Sequence, residues 1–378
     1  MVNECTSLSC CPMLVLRHSH FPSDPWGDGG SKRTAQITEI LDEAGIRQEF
    51  YNPDLTLIFT RKFAAIEGLR LLRMHGIKSK LTKSALTQLG FNYYKREKTF
   101  AEYKKKHRLL IWESSRQQNF LMSYAARDNG LKVLALPHNL ESLVAGQVSE
   151  FTGKEAPGWF DEELQSLAQA QSVFTISREE QYLLRLHGIP ANYLPYFPPS
   201  VVRDFLLEIR NQRLHSTPGE NIFLMGTAGN KPTFDGMLDR IRFFHREVKD
   251  PDSKLIVAGY LTELLENQMP SDKRIVLMGS ISKEELAAQL SSCRLCWIHQ
   301  QISTGSLTKI PELMMAGVPV LINEDAARNF HNIPGIRVYA DEKDCLQALR
   351  EEIPMPSVPL RPWVQERIFL ESVSELLK

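Results

Sequence analysis

Ser303-Thr-Gly-Ser-Leu-Thr-Lys-Ile-Pro-Glu-Leu-Met-Met-Ala-Gly-Val-Pro-Val320 reads as a small glycine-containing loop, a short helix and the opening of a strand. Pro311 is acceptable only in a first helical turn, and Gly317 followed by Pro319 stops the helix before the next strand. Thr308 or Ser306 is placed to cap it. A loop of this kind, lying after a strand and opening a helix, presents unpaired N–H groups to a phosphate. Lys309 adds charge beside a diphosphate, and Glu312, about one turn on, can accept hydrogen bonds from ribose hydroxyls. The same residues equally suit a well-capped core helix with a solvated Lys and Glu.

Outward from this segment the chain alternates. Short apolar, β-branched runs at 221–224, 254–257, 274–278, 295–299, 319–322 and 337–339 predict strands, with helices between them at 234–248, 261–267, 283–291, 308–316 and 342–352. The first half repeats the pattern with strands at 13–17, 109–112, 133–136 and 172–176 and helices at 33–44 and 119–128. Residues 55–59 fit either a strand or a helix, and the rest of 52–106 reads as helices with a polar face. The whole predicts an α/β protein of two doubly wound, Rossmann-like domains in tandem. Leu194-Pro-Tyr-Phe-Pro-Pro-Ser200 cannot continue a helix or a central strand, so it starts a linker, followed by a polar stretch at 211–220. The expected division is 1–200, 201–360 and a final amphipathic segment, 361–378, crossing back to the first domain. Open parallel sheets bind ligands at the carboxyl ends of their strands, so two such domains facing each other make a cleft lined by strand-to-helix loops.

At 378 residues the chain exceeds what one core usually supports. Apolar residues at 43% and charged residues at 24% are ordinary globular usage and give no support for long disorder. Basic and acidic residues both number 45, so no bulk attraction to nucleic acid or an anionic membrane is implied. Cys5, Cys10, Cys11, Cys293, Cys296 and Cys345 lack the density and spacing of a disulfide framework, which fits a cytoplasmic setting. The apolar run at 13–16 has no basic flank and is too short for a signal or a spanning segment.

Glu312-Leu-Met-Met-Ala-Gly-Val-Pro-Val320 resembles the Glu-Ala-Met-Ala-x-Gly-x-Pro-Val segment of glycosyltransferase family four, whose members have the two-domain GT-B architecture. Phe223-Leu-Met-Gly226, Leu255-Ile-Val-Ala-Gly259 and Arg274-Ile-Val-Leu-Met-Gly279 resemble that family's strand-plus-glycine openings in order. Pro137-His-Asn-Leu-Glu-Ser142 looks like its His-Asn-x-Glu-Ser strand end, followed by Ser177-Arg-Glu-Glu180. The resemblance implies a retaining transfer from a nucleoside diphosphate sugar to a glycan or lipid-linked acceptor, with no obligatory metal and no cofactor beyond the sugar nucleotide. It implies that His138 approaches the transferred sugar and that Glu312 holds the donor ribose. Thr304, Gly305, Ser306, Leu307, Thr308 and Lys309 would line the donor site, and Lys309, the helix N-terminus and Lys231 would meet the leaving-group charge. Gly29 and Gly30, in Trp26-Gly-Asp-Gly-Gly-Ser-Lys-Arg33, would approach a donor phosphate or the acceptor. One position departs: Thr304 stands where family members often carry a second glutamate, eight residues before the first. That departure motivates a second reading, a non-catalytic GT-B-like binding or scaffold protein. A sugar-nucleotide epimerase of the same architecture would need a cluster of acids and histidines that the sequence does not assemble.

Other constellations carry less. Cys293-Arg-Leu-Cys296 and His18-Ser-His20 have metal-like spacing but no further ligands nearby. His18 and His20 fall where the first strand meets the cleft, which leaves a substrate contact open. The basic run from Tyr93 to Arg108, interleaved with Tyr94, Phe100 and Tyr103, suits either a solvated helix face or peripheral contact with an anionic membrane. Stacking on nucleic acid has no other support in the sequence.

Overall fold

Leu109-Leu-Ile-Trp112 has no polar residue to turn toward water, so both of its faces need cover, and a parallel sheet wrapped by helices supplies it. The computed structural model describes residues 13–53, 60–77, 81–149, 151–300 and 304–378. Strands β1 (Leu14–His18), β2 (Arg47–Phe50), β3 (Leu109–Trp112), β4 (Lys132–Ala135), β5 (Ser172–Thr175) and β6 (Ala191–Tyr193) form one sheet in the order β2-β1-β3-β4-β5-β6. Strands β7 (Ile222–Met225), β8 (Leu255–Ala258), β9 (Ile275–Gly279), β10 (Leu295–Ile298), β11 (Val320–Asn323) and β12 (Ile336–Tyr339) form the second, in the order β12-β11-β10-β7-β8-β9. Every pairing within these sheets is parallel.

Successive residues of the inner strands feed opposite cores. Leu109 and Ile111 join Val15, Leu134 and Phe174 on one side of the first sheet, while Leu110 and Trp112 join Tyr93, Phe100 and Tyr124 on the other. In β10, Cys296 and Ile298 pack into one cluster and Leu295 and Trp297 into another. Period-two alternation with both faces buried is why these strands read as unbroken apolar runs.

The strands expected from apolar runs lie within a residue or two of those runs; β2 and β6 were not anticipated. β2 is the polar sequence Arg-Gln-Glu-Phe at a sheet edge and β6 only Ala-Asn-Tyr, so neither carries an apolar signal. The polar stretch at 211–220 begins inside a helix, Ser200–Leu214, which buries Val202, Leu206 and Ile209 in the second half's core. The helix expected at 261–267 is a tighter 3-10 run, Thr262–Gln268. Cys5, Cys10, Cys11, residues 55–59 and Ser303 lie outside the described residues. Cys293, Cys296 and Cys345 are buried free thiols. Among the described residues, no helix is long and apolar enough to cross a membrane, and no three His, Cys, Asp or Glu side chains are grouped to hold a metal ion.

Topology places the loops that matter. The first sheet reverses strand order between β1 and β3, and the second between β7 and β10. Loops leaving the carboxyl ends of such neighbours run apart and open a crevice. The last helix, Trp363–Leu377, packs Phe369 and Val373 among Val15, Ile37, Leu109 and Phe174, with Phe369 edge-on to Phe174 at 5.4 Å. Phe369→Ala empties a fully buried position, so it is expected to lower the unfolding free energy by about 3 kcal/mol. Urea denaturation measures this, and an unchanged midpoint would show that the returning helix does not hold the first sheet.

Candidate active site

A cavity of about 320 Å³ lies between the two sheets and is lined by loops from both. The first half contributes Phe21, Asp28, Gly29 and Gly30 after β1, Arg116 after β3, and His138 and Asn139 after β4. The second half contributes Thr227 and Asn230 after β7, and Gln300, Thr304 and Ser306 through Lys309 after β10. Both crevices therefore open into one space.

The first wall is fixed by local hydrogen bonding. Asp28 caps the helix Gly29–Glu43, accepting from the Ser31 backbone N–H and hydroxyl at 2.9 Å each. Gly30 is required because a Cβ there would fall 2.4 Å from the Phe21 ring, and Phe21 in turn stacks on His138 at 5.1 Å. The buried carboxylate of Glu163 holds the His138–Ser142 segment: it accepts from the backbone N–H of Glu141 and of Ser142 at 2.9 Å and from the hydroxyls of Ser142 and Ser115 at 2.5 Å. Glu180 accepts from the Leu140 N–H at 2.9 Å. Deeper still, fully buried Arg17 donates to fully buried Glu113, from Nε at 2.7 Å and also from Nη2. The free Oε2 of Glu113 lies 4.0 Å from His138 Nε2. Although burial opposes ionisation of Glu113, Arg17 and His138 prevail and hold its carboxyl below the usual range.

The second wall departs in part from the sequence-based expectation. Thr308 occupies the N-cap position of the helix Lys309–Met315, but its hydroxyl makes no capping bond, and Ser306 lies two residues further out. With seven residues the helix is too short to carry an anion site by itself. Lys309 lines the cavity and donates to the Met225 carbonyl at 3.2 Å; burial pulls its ammonium below the usual lysine range. Gly305 does not line the cavity. Its φ is +76°, and a Cβ would fall 2.0 Å from Asn139 Oδ1, so glycine here permits close approach of the two walls. Glu312 does not line the cavity either: Lys32 Nζ donates to one oxygen at 2.6 Å and the Tyr196 hydroxyl to the other at 2.8 Å. Lys231 points its exposed side chain at Asp235, 2.7 Å away, rather than into the cavity.

His18 and His20 stay outside as well. Burial pulls the His18 imidazole down to about 3, and His18 packs edge-on to Tyr51, while His20 lies against Phe21. Of the aromatics in the basic run, Tyr93 and Phe100 are core residues, leaving Lys104, Lys105 and Lys106 on an exposed turn.

The charge and hydrogen-bond balance of the cavity is uneven. Among the described residues, Arg33, Arg116 and Lys309 line it against one carboxylate, Asp28, which is committed as a cap. Arg33 is spent on the carbonyls of Leu194 at 2.6 Å and Pro195 at 3.1 Å, and burial lowers it to about 10. Both ring nitrogens of His138, Nε of Arg116, Oε1 of Gln300 and the Thr304 hydroxyl are buried without a partner. Buried polar atoms are rarely left unpaired, and here they converge on one cavity. Arg17, Glu113, Arg116, Glu163 and Gln300 were missed from the sequence; the polar run Glu113-Ser-Ser-Arg116, directly after an apolar strand, was the available signal.

Neither a family model nor a curated sequence matches the chain. Solved structures do match over nearly its whole length. A UDP-forming α,α-trehalose-phosphate synthase from Burkholderia xenovorans is 11% identical with a TM-score of 0.63, covering 97% of this chain and 99% of its own. Sucrose-phosphate synthase from Thermosynechococcus elongatus is 16% identical with a TM-score of 0.56, covering 97% and 95%. The Anabaena HepE protein in complex with UDP-glucose is 13% identical with a TM-score of 0.57, covering 97% and 99%. At these identities the likeness is one of fold: the chain is an α/β protein with the GT-B architecture, two Rossmann-like halves facing across a cleft.

Two buried carboxyls at the His138–Ser142 segment, Glu141 within it and Glu180 against it, make stability depend on pH. Burial, with Glu163 adding to it at both positions, raises Glu141 and Glu180 from the ordinary 4.5 to about 7. Both bind a proton more tightly folded than unfolded, so the stability they give is full below about 4.5 and declines as the pH rises toward 7. The melting temperature is expected to fall across that interval, and less steeply in Glu180→Gln. Equal slopes for the two proteins would refute this assignment.

Proposed function

We propose that the chain is a family-four-like glycosyltransferase, moving a glycosyl group, most simply a hexosyl, from a nucleoside diphosphate sugar to a hydroxyl acceptor with retention. The observation that carries this reading is the convergence of cations and unpartnered polar atoms on a cavity between two sheet switch points, where GT-B proteins have their cleft. Neighbours of the same fold include a UDP-forming synthase and a protein bound to UDP-glucose, which supports a uridine nucleotide as donor.

Each lining residue then has a role. Lys309, beside the 304–308 loop, faces the diphosphate as charge develops on the leaving phosphate. Thr304 and Gln300 accept or donate to hydroxyls of the transferred sugar. His138, held from behind by Phe21 and Glu113, approaches that sugar from the first wall. In the transfer, the acceptor oxygen bonds to the anomeric carbon while the bond to the phosphate breaks; the phosphate leaves with the electron pair and takes up the acceptor's proton. Glu312 acts at one remove, as the residue that ties Lys32 and Tyr196 to the second wall. One observation favours the non-catalytic alternative: with Thr304 at the cavity and Glu312 engaged elsewhere, the second wall offers the sugar nucleotide no carboxylate.

A thermal-shift series with UDP, GDP and their sugar conjugates tests the donor site. A ligand present at a hundred times its Kd stabilises the folded state by ~2.7 kcal/mol. One nucleotide is expected to raise the melting temperature of the wild type and to lose most of that effect in Lys309→Met. Absence of any nucleotide shift would overturn the reading; binding without release of nucleotide in the presence of acceptors would move it to the non-catalytic form.

A further inference from the structure

The cleft carries cations on both walls, and they stand on loops from different halves of the chain. Lys309 stands on the second wall, which belongs to the donor in the reading above. Arg116 stands on the first, in the loop after β3, and its surroundings do not neutralise it. Among the described residues no carboxylate pairs with it, and its Nε is buried without a hydrogen-bond partner. The other charged groups nearby are already committed. Glu113 is taken by Arg17. Arg33 is spent on backbone carbonyls. Glu141 feels Arg116, but its burial raises its carboxyl to about 7, so near neutral pH it supplies no full counter-charge. His20 feels burial first and Arg116 next, and both pull its imidazole down.

The backbone of the loop that presents Arg116 is anchored by hydrogen bonds. The Arg116 backbone N–H donates to Ser114 Oγ at 3.2 Å, and neighbouring Ser115 donates to buried Glu163 at 2.5 Å. Glu163 also holds the segment that carries His138, whose ring lines the same cavity and makes no hydrogen bond, its Nε2 lying 4.0 Å from Glu113. A guanidinium that no carboxylate pairs with, on the same cavity as an imidazole that makes no hydrogen bond, matches a planar or tetrahedral oxyanion.

We infer that the first wall of the cleft is an anion subsite, in which Arg116 grips an oxyanion carried by the acceptor, a phosphomonoester or a carboxylate, and so orients the acceptor hydroxyl toward the donor. This rests on the donor reading for its direction, but the subsite can be measured without it. Wild-type protein, free and saturated with UDP, is titrated calorimetrically with inorganic phosphate, glucose 6-phosphate, glucuronate and glucose. At least one of the anions is expected to bind at least tenfold more tightly than glucose. Arg116→Gln is expected to abolish that preference and Arg116→Lys to restore part of it. Preference for the phosphates or for glucuronate names the source of the charge. The inference falls if no anion binds more tightly than glucose, or if Arg116→Gln binds the anions as wild type does. Anion binding by a protein that ignores UDP would leave the subsite standing and remove the donor reading instead. Arg116 has no ion pair to lose, so the glutamine variant is expected to fold, which its unliganded melting curve verifies.

Discussion

Lys32 and Glu312 are separated by 280 residues of chain, yet Nζ and Oε2 stand 2.6 Å apart. With side chains only 19% and 10% exposed, this pair is drier than a surface ion pair, and the Tyr196 hydroxyl occupies the other carboxylate oxygen. An ion pair in that setting is sensitive to geometry: attraction offsets the loss of hydration only if both partners stay in place. Two further contacts hold them there. Asn139 meets the backbone at Gly305, and Trp26, from the loop after β1, packs against Phe205 and under Lys283. The distance between His138 on one wall and Lys309 on the other is set by these ties rather than by either sheet alone.

Behind the first wall lies a polar framework that a purely apolar core would not need. Arg17 and Glu113 are fully buried charges, and Glu163 is a fully buried carboxyl with four donors around it. Replacing such groups by hydrocarbon is often neutral or stabilising, whereas removing a single partner costs about 3–5 kcal/mol. Stability therefore does not explain them. Placement does: Glu163 binds the Ser115 and Glu141–Ser142 segments into one unit, and Glu113 lies directly behind His138. Two loops from different strands, carrying Arg116 and His138, are thus bonded to one buried carboxyl.

The architecture was legible because parallel strands buried on both faces are continuous apolar runs, so β3, β8, β10 and β11 declare themselves in one sequence. β2 was not legible because an edge strand needs no apolar run. Of the residues that line the cavity, Thr304 and Ser306 through Lys309 were legible in the loop-then-helix reading of their own segment, whereas His138 and Gly29 came from the family resemblance. What the sequence could not convey was direction. Glu312 lies one turn along a helix whose start does face the cavity, but the contacts available to its carboxylate come from Lys32 and Tyr196, far away in the chain. Gly305 likewise reads as a phosphate-loop glycine, while its backbone actually serves the approach of Asn139. Glu113 and Arg116 were passed over because a carboxylate and a guanidinium in a loop look solvated until the fold shows one paired inside and the other left alone.

On the family-four-like reading proposed above, a threonine at 304 in place of an acid bears on the charge around Arg116. A glutamate at 304 would add a negative charge to the cavity that Arg116 lines, and in a space partly closed to water the two charges would attract each other across the cleft. Arg116 would then have a counter-charge from the protein and less to gain from a ligand. With threonine there, the wall still offers a hydroxyl to a sugar, and adds no carboxylate to compete with an incoming anion for the guanidinium. On the proposed reading, the departure from the paired-acid pattern does not weaken the cleft. It shifts the charge balance toward two anionic ligands, the donor's diphosphate at Lys309 and the acceptor's oxyanion at Arg116.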